Sequence, residues 1–141
     1  MIRRGQALAL ALSLVPSIAL VPAVARAGTL PDATERFANC AAFWLARDEF
    51  ARSSAYLAPD PTDVARGEAF RALGARLTRN ARLVDNHIGA KLPMMRFMFQ
   101  HYIVDGDAET GNMNVRLAQS CEDLSTGQPE FDALRKGKGA P

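Results

Sequence analysis

The sequence predicts a small all-α domain, an antiparallel up-down four-helix bundle with one disulfide, that follows an N-terminal signal peptide. Three observations lead to this fold. Beyond the N-terminal segment, apolar residues recur with the period of an α-helix, and no stretch keeps the two-residue alternation of a strand. Proline, glycine and capping residues divide this part of the chain into four helical segments. The chain has two cysteines, Cys40 and Cys121, which such a bundle would bring together.

Residues 1–27 have the three parts of a cleavable secretory signal. Arg3 and Arg4 give a positive start, an apolar stretch follows over 7–24, and Ala-Arg-Ala at 25–27 is the small-x-small pattern that signal peptidase recognises. Two prolines and an alanine-rich composition argue against an uncleaved membrane helix. We therefore expect a secreted or periplasmic bacterial protein without a stable membrane anchor after cleavage, and the sequence leaves open the Sec and Tat routes of export.

Removal of the signal changes the charge balance. The full chain has 17 basic and 15 acidic residues, and residues 1–27 contain three arginines and no acid, which leaves 14 basic and 15 acidic residues. A mature chain with a net charge of −1 gives no basis for nucleic-acid binding through overall basicity. Its length predicts one helical domain over 28–126, followed by a largely disordered C-terminal tail over 127–141 with one short turn around Phe131.

The first two predicted helices have clear boundary residues. Asp32 caps the first helix, with Glu35 as its capping-box partner, and the Ala-Pro-Asp-Pro sequence at 58–61 ends it. Pro61 begins the second helix after the cap Asp60, and Gly89 ends it. The second helix has one apolar stripe, made of Phe70, Leu73, Leu77, Val84 and Ile88.

The third predicted helix, at about 93–104, is apolar nearly all round, so it lies at the centre of the fold or is covered by another surface. The fourth carries Cys121 on its apolar face and frays near Gly127. Short connections favour antiparallel neighbours. Cys40 lies about two turns into the first helix and Cys121 lies near the end of the fourth. In an antiparallel bundle both cysteines therefore fall at the same end. In an oxidising compartment they are expected to form a disulfide, with two separate buried thiols as the alternative.

One face of the third helix holds the candidate binding residues. Met94, Phe97 and His101 are interpreted as an exposed, adaptable patch for a protein partner. The alternative is a metal site, in which Met94, Met98 and His101 share one face at spacings of four and three and offer thioether and imidazole ligands for Cu(I). A third interpretation is that these methionines fill gaps in the core.

Other features are interpreted as structural. Asp48 projects onto the main apolar stripe of the first helix, where an unpaired carboxylate is costly, so we expect a partner such as Arg52 or Arg116. Arginines on the polar side of the second helix are interpreted as a solvated face. The acidic turn after Val104 does not match a calcium loop, because its twelfth position is Arg116 rather than an acid.

No phosphate loop, zinc-protease motif or nucleophile elbow is present in the sequence, and no Cys-x-x-Cys-His motif for covalent haem attachment. These absences favour a non-enzymatic protein without a cofactor. The sequence therefore predicts a secreted or periplasmic helical protein that acts through protein–protein binding, as an inhibitor, assembly factor or accessory subunit of an unknown partner. The alternative is a periplasmic helical bundle that binds copper or haem.

Overall fold

The structure is a computed structural model that describes residues 29–137. The predicted signal peptide and the last four residues lie outside this part. All regular secondary structure within residues 29–137 is helical, which confirms the all-α prediction for them. The helices are α1 (Asp32–Ser53), α2 (Pro61–Thr78), α3 (Ala81–Phe99), α4 (Ala108–Ser125) and α5 (Asp132–Gly137). A π-helical turn at Gln100–Val104 extends α3, and a 3-10 turn at Pro129–Phe131 precedes α5.

Helix α1 is the central element, and its most extensive contacts are with α2 and α3. It is buried on several sides, because Phe43, Trp44 and Phe50 are buried together with alanines on other sides of the helix. Small residues allow close helix contact, and a Cβ atom added at Gly67 of α2 would lie 2.6 Å from Cγ of Leu45. None of the helices within residues 29–137 is both long and apolar enough to cross a membrane.

The two ends of α1 differ from the prediction. Asp32 does not cap the helix; the carbonyl of Pro31 instead accepts hydrogen bonds from the N–H groups of Thr34, at 2.8 Å, and Glu35, at 2.9 Å. The helix ends at Ser53, before the prolines that were expected to end it. The hydroxyl of Ser54 accepts a hydrogen bond from the N–H of Tyr56 at 3.1 Å, so a local serine turn replaces the next helical turn.

The boundary between α2 and α3 was predicted wrongly. Gly89 and Pro93 were expected to separate the two helices, whereas the chain breaks at Arg79, which has a left-handed φ of 54°. The side chain of Asn80 then accepts a hydrogen bond from the N–H of Leu83 at 3.1 Å and caps α3. Pro93 lies inside α3, where it cannot donate to the carbonyl of Gly89. Both residues are exposed, so water can replace that hydrogen bond.

A disulfide joins Cys40 of α1 to Cys121 of α4, as the sequence predicted. Both side chains are buried, with their Cα atoms 5.6 Å apart. Helix α4 has less extensive contacts with α1 and α3 than these two have with each other, and its described buried residues are Gly111, Asn114 and Cys121. The disulfide is therefore a major part of what holds α4 against the core.

The C-terminal segment packs onto α2. Phe131 is buried, and its ring meets that of Phe70 edge to face, with the centroids 4.6 Å apart. Nε of Arg76 donates to Oε1 of Glu130 at 2.5 Å. Packing against the core thus extends to Leu134 in the C-terminal segment, because the aromatic side chain of Phe131 has a buried site on α2.

Candidate functional site

The predicted docking patch, defined as Met94, Phe97 and His101, lies on the outer face of α3 and its π-helical extension. Met94 is 50% exposed and Phe97 is 62% exposed, while His101 is partly exposed. The rings of Phe97 and His101 meet edge to face, with centroids 4.2 Å apart. Ala90 and Pro93 are also exposed and continue this face towards the start of α3. The structure therefore brings the three predicted residues together at the surface.

The π-helical turn determines the position of His101. The N–H of Asp105 donates to the carbonyl of Gln100 at 3.3 Å, a hydrogen bond that spans five residues. Nδ1 of His101 lies 2.9 Å from Oδ2 of Asp105. A Cβ atom added at Gly111 of α4 would lie 2.7 Å from Cδ2 of the Tyr102 ring. Glycine at this position therefore allows α4 to approach the π-helical turn. π-helical turns are rare and frequently occur at functional sites, and no residue pattern in the sequence predicted this one.

The residues of the alternative copper site have different surroundings. Met94 is exposed, whereas Met98 is partly buried and packs against the core. His101 has Nδ1 next to Asp105, which leaves Nε2 to face a ligand. Within residues 29–137, no three side chains of His, Cys, Asp or Glu gather as they would around a metal ion. The copper site remains a prediction that depends on two methionines in unlike environments.

A cleft of about 730 Å³, for which the sequence pattern gives no indication, lies on one side of the fold. It lies between α1, α2, the end of α4 and the C-terminal segment, and its apolar walls include Trp44, Phe70, Phe131 and Leu134. The guanidinium carbon of Arg66 lies 4.5 Å from the Trp44 ring centroid. One wall consists of the segment that was expected to be a tail, which is why sequence periodicity could not reveal the cleft.

A smaller cavity of about 440 Å³ lies beside His87. Nε2 of His87 donates to Oδ1 of Asn39 on α1 at 2.8 Å. Burial lowers the pKa of His87, so the ring is neutral at pH 7. This histidine therefore links α3 to α1.

Two buried carboxylates lie on α1 and α2. Asp48 accepts a hydrogen bond from Nε of Arg52 at 2.8 Å, which confirms the expected pairing with one of the two arginines proposed. Asp63 is fully buried and pairs with Arg47 of α1. Burial raises the pKa of Asp63, and the Arg47 guanidinium opposes this shift. Neither carboxylate lines either described cavity, so both interactions are structural.

Comparisons with protein-family models, with curated proteins and with solved structures find no match to this chain. Any function therefore has to be inferred from the surfaces and cavities described above. The docking patch places exposed Met94 and Phe97 on one helix face, and the cleft has apolar walls beside Arg66.

Proposed function

We propose that this protein acts without catalysis by binding a partner protein through the docking patch Met94, Phe97 and His101. The observation that carries the proposal is the 62% exposure of Phe97 beside the 50% exposure of Met94 on one helix face. Contiguous patches of exposed apolar side chains often mark the sites at which proteins bind one another. A Phe side chain gains about 1.5–3 kcal/mol on full burial, so covering Phe97 supplies a useful fraction of a binding energy.

The patch is suited to docking because its helix is held rigidly from behind. Met95 and Phe99, on the inner face of α3, are buried, and the Phe99 ring contacts that of Phe43 at a centroid distance of 5.2 Å. A rigid backbone lowers the entropy lost on binding, while methionine can adapt to the shape of the partner. Arg96 lies 3.8 Å from Glu49 and gives the patch a polar edge. We therefore propose a partner that presents an apolar surface.

The same proposal includes export and the arrangement of the helices. Residues 1–27 would be removed as a signal peptide, and the mature protein would act in the periplasm or outside the cell. The Cys40–Cys121 disulfide supports this proposal, because structural disulfides persist in oxidising compartments. An up-down order of α1 to α4 is supported by the short connections between them and by a disulfide that joins the early part of α1 to the late part of α4.

The proposal can be tested by affinity capture with the disulfide-intact protein and Phe97→Asp. Val115→Asp is a matched control, because Val115 on α4 is also 62% exposed and lies outside the patch. We expect wild type and Val115→Asp to retain the same identified partner from periplasmic extract, and Phe97→Asp to lose it while keeping its far-UV circular dichroism and unfolding curve. Equal capture by all three proteins would contradict the proposal.

The copper alternative gives a different result in a separate measurement. After reconstitution with Cu(I), a copper site would retain about one equivalent per chain and would lose it in His101→Ala. Retention of copper that His101→Ala abolishes would favour the metal site over a docking surface. We expect no stoichiometric copper.

A further inference from the structure

Arg66 has an unusual environment in the large cleft. Its side chain is 19% exposed and stacks on Trp44, and its one charged contact within residues 29–137 is Glu122 of α4, at 3.1 Å between Nη2 and Oε1. No Arg66 nitrogen is both sealed from solvent and without a hydrogen-bond partner in this part of the chain. Arg66 lines the cleft, and a guanidinium has five N–H donors, so the contact with Glu122 leaves donors for a ligand.

The walls around this cation are apolar. Phe131 and Leu134 of the C-terminal segment face the cleft together with Trp44 and Phe70. A volume of about 730 Å³ falls in the range of sites that bind small organic molecules, in which apolar walls surround a few polar groups. A partly desolvated guanidinium on an aromatic ring is less hydrated than a surface arginine, and its planar fork matches a carboxylate.

We infer that this cleft binds a small organic carboxylate, with the carboxylate on Arg66 and an aromatic or aliphatic body between Trp44, Phe131 and Leu134. The charges of the cleft favour a monoanion over a phosphate dianion, because the carboxylates of Glu122 and Asp123 also line it. The second arginine of the cleft is already engaged, since Arg135 donates to the carbonyls of Ser125, at 3.1 Å, and Gln128, at 2.8 Å.

Glu122 occupies the place of the ligand carboxylate when the cleft is empty. Its side chain is 48% exposed, so it can leave Arg66 and be solvated by water when a ligand enters. Binding is then an exchange of one carboxylate for another on the same guanidinium. Two substitutions should therefore change affinity in opposite directions, since Arg66→Gln removes the cation and Glu122→Gln removes the competitor.

The single tryptophan of the chain gives a direct measurement, because Trp44 lines the cleft. The disulfide-intact protein at pH 7 is titrated with 4-phenylbutyrate and, as a neutral control of the same shape, with 4-phenylbutyramide. We expect saturable changes in Trp44 fluorescence with a Kd of about 0.05–2 mM for the acid, the range for a ligand of about a dozen heavy atoms. The amide should bind about tenfold more weakly, which is the contribution of a charge-assisted hydrogen bond.

The variants separate carboxylate recognition from general apolar binding. Arg66→Gln should weaken the acid about tenfold and leave the amide unchanged, whereas Glu122→Gln should tighten the acid several-fold and leave the amide unchanged. Glu122 is largely exposed, so its variant tests the idea even if Arg66→Gln fails to fold. Equal binding of acid and amide, an unchanged acid affinity in Glu122→Gln, or no saturable signal up to about 10 mM would each overturn the inference.

Discussion

Replacing Arg47 by methionine removes the charged partner of Asp63, which is the one fully buried carboxylate among the described residues. Asp63 has no exposed surface, and one of its oxygens has no hydrogen-bond partner within residues 29–137. Arg47, with a side chain that is 29% exposed, supplies its positive charge from α1. Arg47→Met keeps most of the aliphatic packing and removes the charge, so Asp63 remains in the core without compensation.

Two free-energy costs set the size of the destabilisation by Arg47→Met. Breaking a buried ion pair by removing one partner costs about 3–5 kcal/mol. The carboxyl can reduce this cost by binding a proton, and protonating a group with an unfolded pKa of about 3.9 costs about 4 kcal/mol at pH 7 and about 1.5 kcal/mol at pH 5. We therefore expect Arg47→Met to destabilise the protein by about 3–4 kcal/mol at pH 7 and by about half of that or less at pH 5.

The direction of the pH dependence follows from the raised pKa of Asp63. Burial raises this pKa in the folded protein, so the folded state holds the proton at a pH where the unfolded chain has released it. The contribution to stability is complete below the unfolded pKa and is lost as the pH rises through the folded pKa. Without Arg47 the main opposition to burial is lost and only the charge of Arg66 still lowers the pKa of Asp63, so the folded pKa rises further and the loss of stability with pH becomes steeper.

Urea unfolding at pH 5, 6 and 7, followed by circular dichroism, measures this difference between variant and wild type. Asp63→Asn is the control. It removes the buried charge and leaves Arg47 partly exposed, so that its guanidinium can be hydrated by water. This variant should lose less free energy of unfolding than Arg47→Met, and the loss relative to wild type should depend little on pH. The double variant Arg47→Met/Asp63→Asn should also lose the steep dependence. If Arg47→Met destabilises the protein equally at pH 5 and pH 7, an uncompensated Asp63 is not the cause.

Three further variants test the packing. Replacing Cys40 and Cys121 by alanine should lower the free energy of unfolding by about 4 kcal/mol in urea titrations and raise amide exchange first in α4, because the disulfide closes a loop of 81 residues; uniform exchange across all helices would contradict this. Gly67→Ala should destabilise by about 1–2 kcal/mol despite the higher helix propensity of alanine, because its Cβ meets Leu45 at 2.6 Å; a raised Tm would show that α1 and α2 can move apart at no cost. Phe131→Ala should cost about 2–4 kcal/mol and make the C-terminal segment sensitive to protease, whereas unchanged proteolysis would show that this segment is held by other contacts.

Two features that depend on local chemistry were predicted correctly from the sequence. The start of α2 is correct, because Asp60 accepts a hydrogen bond from the N–H of Thr62 at 2.8 Å and Pro61 occupies the first helical position. Asp48 pairs with Arg52, one turn away on the same helix. Predictions of this kind succeed since the interacting groups are only a few residues apart.

Helix boundaries that depend on which of several local signals prevails were harder to predict from the sequence. Gly89 and Pro93 resemble a helix boundary, yet α3 continues through them, and the chain breaks at Arg79, which carries no glycine or proline signal. A proline inside a helix costs about 3 kcal/mol. The burial of Met95 and Phe99, which follow Pro93 on the same helix, offsets this cost at about 1.5–3 kcal/mol each. Helix propensity alone does not include the free energy of burial, so it cannot predict whether the helix continues through Pro93.

The sequence by itself determined the helical class and the disulfide partners, and it placed Met94, Phe97 and His101 on one helix face. Periodicity and spacing are properties of the chain, and they fix which residues share a face. Only the tertiary structure decided which face is exposed, because exposure depends on what packs against it. It also formed the cleft, since Trp44, Arg66, Glu122 and Phe131 come from four segments that meet only when the chain is folded.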